Sequence, residues 1–248
     1  MLFGETQVEV RVIAAGGKFL GDDIAGARVT LRDVESGALL ADGAVMGGSG
    51  NVQQIMQTPR LRGVAIPIDG ASVFRTTLQL TEPRLVEVAA YGPLGSPQSA
   101  RRVAFQQWIA PGRHLVGADG IVAEIPGLLV QITSPPTHHQ VTAPRTVVQV
   151  RANVGMMCGC PIEGTGTVWP QERFEVSALV AVSAGGVWRP VQVQAMRWTG
   201  QPSQFQAEWT LPEYGFYQIT VFARERGSAN TGVDRVTVFC PPPTPPAT

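Results

Sequence analysis

Hydrophobic and polar residues alternate along much of the chain. Val8, Val10 and Val12 are interleaved with Gln7, Glu9 and Arg11. A period of two places one set on each face of a strand. Residues 27–33 repeat the pattern, with Val29 and Leu31 set against Arg28, Thr30 and Arg32. The same grammar predicts strands over 73–80, 85–91 and 103–108. Residues 33–37 read as a polar turn ending in glycine, and 47–50 and 92–97 as Gly- and Pro-rich loops. Residues 50–58 are the one helix candidate and read better as a strand or a single turn.

A further strand begins at Leu128 and runs into Ser134-Pro135-Pro136. Paired prolines stiffen a connection toward an extended form, so a domain boundary is expected here. Beyond it the spacing predicts strands over 147–152, 174–182, 187–197, 205–211, 217–224 and 233–239. That density fits an antiparallel sandwich. The expected fold is all-β: two antiparallel β-sandwich domains in tandem, 1–127 and 128–240, joined by a Pro-rich connection. A Pro-rich tail, 241–248, is expected to be disordered.

Composition narrows the function classes. The 248 residues include 28 Gly and 20 Pro, which destabilise helix interiors and argue against a helical bundle. Lys and Arg number 19 and so do Asp and Glu, giving no net charge and no electrostatic footprint for nucleic acid. With 44% hydrophobic residues, the chain is too apolar for intrinsic disorder. No window approaches 18 consecutive apolar residues, so no transmembrane segment is expected. The chain enters a strand at once, and no signal peptide is expected within it.

Two resemblances follow from particular residues. The stretches 131–136 and 146–152, with Leu211-Pro212-Glu213-Tyr214-Gly215-Phe216-Tyr217 and the strand after it, resemble a bacterial immunoglobulin-like or fibronectin type III-like sandwich. Tyr217 stands at a place similar to the tyrosine corner of such domains. Residues 24–33, followed by Ser36-Gly37 and Asp42-Gly43, more weakly resemble transthyretin-like and collagen-adhesin B-type modules. The resemblance implies adhesion, stalk, carrier or accessory roles, and an extracytoplasmic location in the periplasm or at the cell surface. Adhesin modules with isopeptide cross-links use a lysine and an asparagine. The sole lysine here, Lys18, lies in a glycine-rich loop, so no such cross-link is expected.

The most distinctive chemistry lies in Gly155-Met156-Met157-Cys158-Gly159-Cys160. Two thiolates and two thioethers suit a soft ion such as Cu(I), and His138 and His139 could join them. Three readings stay open: a copper site, a disulfide drawn from Cys158, Cys160 and Cys240, or inert thiols. An odd cysteine count excludes full pairing within one chain. His114 in a Gly- and Arg-containing loop reads better as a turn cap than as a base. No nucleophile elbow, phosphate cradle, calcium loop or paired carboxylates are seen, so no catalytic residues are assigned. Trp169, beside the cysteines in an irregular loop, is the candidate interface anchor.

Three functions are therefore expected in order. The first is a non-catalytic structural or interaction subunit, docking through sandwich loops onto protein partners in a larger extracytoplasmic or membrane-associated assembly. The second is copper binding or delivery. The third is a carbohydrate-binding module using the tryptophans.

Overall fold

Where alternation is strict, the sheets take it up directly. The computed structural model describes residues 4–59, 61–117 and 120–243. The chain divides into two compact units, Met1–Gly127 with Met156–Cys160, and Leu128–Gly155 with Pro161–Thr248. Each contains two sheets, and nearly all strand pairs are antiparallel.

The first unit contains β1 (Gly4–Ala14), β2 (Arg28–Asp33), β3 (Leu39–Ala44), β4 (Met46–Ser49), β5 (Ala71–Leu80), β6 (Arg84–Gly92), β7 (Arg101–Ile109) and β8 (Ile121–Ile125). One sheet has the order β4-β5-β1-β8 and the other β3-β2-β6-β7. The apolar phase of β1, Val8, Val10 and Val12, is fully buried, as are Val29 and Leu31 of β2 and Val86 and Val88 of β6. Each such side chain contributes roughly 1.5–3 kcal/mol on burial. β8 was not foreseen. It runs parallel to β1, pairing Val10 with Ile121 and Ala14 with Ile125.

Residues 53–57 form a helical turn rather than a strand. The Asn51 side chain accepts the Gln54 N–H at 3.0 Å, satisfying a donor that the first turn would leave free. The turn sets Ile55 against Phe19 and Ile13 in a small apolar cluster.

The second unit contains β9 (Leu128–Ser134), β10 (His139–Gln140), β11 (Val147–Met156), β12 (Phe174–Ala184), β13 (Val187–Ala195), β14 (Arg197–Trp198), β15 (Gln204–Thr210), β16 (Gly215–Glu225) and β17 (Thr231–Cys240). Its sheets have the orders β14-β15-β11-β9 and β10-β17-β16-β12-β13. The odd-numbered residues of β16 from Tyr217 to Glu225 point into the unit and are buried. The Tyr217 hydroxyl donates to the Glu213 carbonyl at 3.0 Å, the back-bond of a tyrosine corner, and its ring meets Trp209 edge-on at 5.1 Å. The expectation for the tail falls partly outside the described residues, since 244–248 are not among them.

Candidate functional site

The Met156–Cys160 loop follows β11. It is closed by the Met156 N–H donating to the Cys160 carbonyl at 3.0 Å and by the Gly159 N–H donating to the Met156 carbonyl at 2.8 Å. Gly159 holds a left-handed φ of +81°, and a Cβ there would come within 2.5 Å of Ile24 Cγ2. Only glycine therefore fits between the two cysteines. Met156, Met157 and Cys158 are fully buried, and Cys160 is 8% exposed.

The two sulfurs lie 2.9 Å apart. The Cys158 sulfur also lies close to the backbone of residues 17 and 18. A Cβ on Gly17 would stand 3.0 Å from it. The Cys160 thiol hydrogen-bonds to Cys158 and favours its thiolate. Burial opposes that, but hydrogen bonds from the backbone at Lys18 and Cys160 and the positive charge of Lys18 add to the first effect. Together they draw Cys158 down to about 7. Cys160 moves the other way, raised by its hydrogen bond to Cys158, by burial and by the charge on its neighbour. The two directions are opposite, toward the thiolate at Cys158 and toward the protonated thiol at Cys160. The Lys18 ammonium is also held by the Ser49 hydroxyl at 2.8 Å.

His138 has a φ of +61°, and its Nδ1 is 2.9 Å from the Thr237 hydroxyl. His139 lies on β10, paired with Val238. Both belong to the second unit, whereas Met156–Cys160 belong to the first. Among the described residues, no three His, Cys, Asp or Glu side chains gather closely enough to hold a metal ion. Among the same residues, which include every cysteine, Cys158, Cys160 and Cys240 are free thiols, and no disulfide joins them. Cys240 is fully buried at the end of β17, opposite Gly215. His114 accepts the Gln7 N–H on Nδ1 at 3.1 Å, so this loop side chain satisfies a backbone donor within β1.

Trp169 corrects the sequence reading. It is only 6% exposed, because its irregular loop folds back through a Glu163 N–H to Trp169 carbonyl bond of 3.0 Å. It therefore offers no exposed anchor. Trp209 is buried as well, so these two tryptophans form no surface platform for a sugar.

A surface that the sequence reading passed over lies on the outer face of the five-stranded sheet. On β16 the outward phase carries Phe216 and Phe222, both exposed. Phe216 stacks on Phe239 of β17 with ring centroids 4.2 Å apart. On β12 the same phase carries Leu179, which pairs with Val193 of β13. Val193 is 58% exposed, and Val191 and Trp188 on the same strand are exposed too. Charges on this face are Arg235, paired with Thr220 at its middle, and a group at one end where Glu175 accepts from Arg224 and from Arg226 at 2.9 Å. The signal was present in the sequence: both phases of residues 187–193 carry apolar side chains, which a half-buried strand does not need.

No family model and no curated protein matches the chain. Solved structures similar to it include fibronectin(III)-like modules of Clostridium thermocellum CbhA, at 13% identity over 96% of this chain and 94% of that one, with a TM-score of 0.31. The alpha chain of the chicken interferon gamma receptor is similar at 10% identity over 87% of this chain and 85% of its own, with a TM-score of 0.27. An engineered protein shares 21% identity over 53% of this chain, with a TM-score of 0.32, and this chain spans 24% of its length. The strand orders carry the class assignment themselves. β9-β11-β15-β14 has the A-B-E-D order of an immunoglobulin-like sandwich, and β17-β16-β12-β13 supplies G-F-C-C′. The second unit is an immunoglobulin-like β-sandwich. No helix among the described residues is long and apolar enough to cross a membrane.

Proposed function

We propose that this chain is a non-catalytic interaction subunit. It docks on a protein partner in a larger extracytoplasmic or membrane-associated assembly. The observation that carries the reading is the outer sheet face of the second unit: Phe216, Phe222, Leu179 and Val193 lie on its β16-β12-β13 side and are exposed or half-buried. Apolar side chains left exposed on a sheet face, even with Gln218, Thr220 and Arg235 among them, leave a partner something to cover. Its exposed aromatics, Phe216 and Phe222, are of the residue type enriched in interface cores. Its occupant is a protein with a flat apolar surface, because the face is a pleated sheet rather than a groove. The immunoglobulin-like class supports an extracytoplasmic setting, since the sandwich recurs in cell-surface domains.

The test is the native size of the chain in extracts of its own cells. Wild type and a Gln106→Glu control should elute in a complex larger than the monomer. The Val193→Glu/Phe222→Glu variant should elute as a folded monomer. A monomeric wild type, or a complex that survives the double substitution, overturns the reading.

A further inference from the structure

The cysteine pair is independent of the docking face. Its sulfurs are 2.9 Å apart, so only a short approach separates them from the roughly 2.05 Å of a disulfide bond. Gly159, between them, holds the turn that brings both side chains to one side. The third thiol, Cys240, lies in the other unit at the end of β17. Cys158 is wholly shielded and Cys160 nearly so. In the closed loop neither a bulky disulfide nor a partner protein reaches the sulfur at Cys158, and a small peroxide meets it only when the loop opens past the slightly exposed Cys160.

We infer that Cys158 and Cys160 form a redox-active dithiol, a two-electron site oxidised by small peroxides to an intrachain disulfide. Cys158 attacks one oxygen of hydrogen peroxide. The O–O bond breaks, an S–O bond forms, and the leaving hydroxide takes the thiol proton and departs as water. Cys160 then attacks the sulfenic sulfur. The S–S bond forms, the S–O bond breaks, and the second hydroxide leaves with the Cys160 proton as water. The sulfur pair loses two electrons and the peroxide is reduced to two waters. A thiol reductant reverses the change by two exchange steps once the loop opens.

The experiment treats the reduced full-length chain with hydrogen peroxide, denatures it and alkylates the remaining thiols. The expected result is a loss of two hydrogens, a peptide linking Cys158 to Cys160, and alkylation falling from three thiols to Cys240 alone. Cys160→Ser should halt at the first step, giving a dimedone adduct on Cys158. Oxygen gained only on the methionines, with all three thiols still alkylated, overturns the proposal. So does a dimedone adduct on Cys240 in place of Cys158. In a parallel arm, Cu(I) is offered to the reduced chain against a competing chelator. Stoichiometric retention that shields both thiols from peroxide would overturn the redox assignment in favour of a soft-metal site. No retention is expected.

Discussion

The outer faces of the two units solve the same problem differently. On β1 the outward phase carries Glu9 and Arg11. Arg11 donates to Glu9 at 2.9 Å and to the Gly117 carbonyl at 3.3 Å, Glu9 accepts the Gly117 N–H at 2.9 Å, and Arg75 closes the cluster at 2.9 Å. Most of the polar groups there find partners within the unit. On β16, β12 and β13 the outward phase includes Phe216, Phe222, Leu179 and Val193, which stay exposed or half-buried among Gln218, Thr220 and Ser177. Alternation alone makes a strand half-buried. What occupies the second phase decides whether the sheet ends in water or in a partner.

The sharpest way to break the contrast is to spoil the satisfied face. Glu9→Ala leaves Arg11, itself nearly buried, without its carboxylate. Removing one member of a buried pair is strongly destabilising, and a loss of about 3 kcal/mol is expected in urea unfolding. Inside the second unit, Tyr217→Phe removes one hydroxyl bond to Glu213, and about 1 kcal/mol should be lost with the denaturant slope unchanged.

Acid titration probes the same cluster. Burial works against Glu9 ionising, yet the Gly117 N–H, Arg11 and Arg75 together hold its pKa below the ordinary carboxylate value. A carboxyl depressed in the folded state adds stability that is present above its unfolded pKa, roughly 4.3, and is lost as pH falls through the folded value. Melting temperature should therefore drop below that pH, and the drop should be shallower in Glu9→Gln. The smallest effect on stability is expected on the other face. Val193→Glu, at a 58% exposed position, should change unfolding free energy by no more than about 0.5 kcal/mol while abolishing association.

Much of the fold was legible because the strands that build the cores alternate cleanly. β1, β2, β6 and β16 are examples, and Tyr217 marked its own corner. The strands that escaped notice lack that signal. Leu39–Ala44 is half-exposed and contains Asp42 and Gly43, Met46–Ser49 carries two glycines, and Ile121–Ile125 is short, its place set by parallel pairing with β1. The Cys-Gly-Cys loop stood out in the sequence. Its setting against Gly17, Lys18 and Ile24 did not, because that contact joins segments far apart in the chain and no local pattern encodes it. For the same reason His138 and His139, distinctive as a pair, proved to belong to a different unit. Trp169 was misread because an irregular Gly- and Pro-rich stretch looks exposed, whereas backbone bonds fold this one inward.

The account rests most on the open sheet face. Photo-crosslinking in the native cell tests it directly, with a benzophenone side chain placed singly at Val193, at Phe222 and, as a control, at Gln106. Adducts to the same partner protein from Val193 and Phe222, and none from Gln106, are the predicted result. Equal labelling from all three sites, or none from the sheet face, would contradict it.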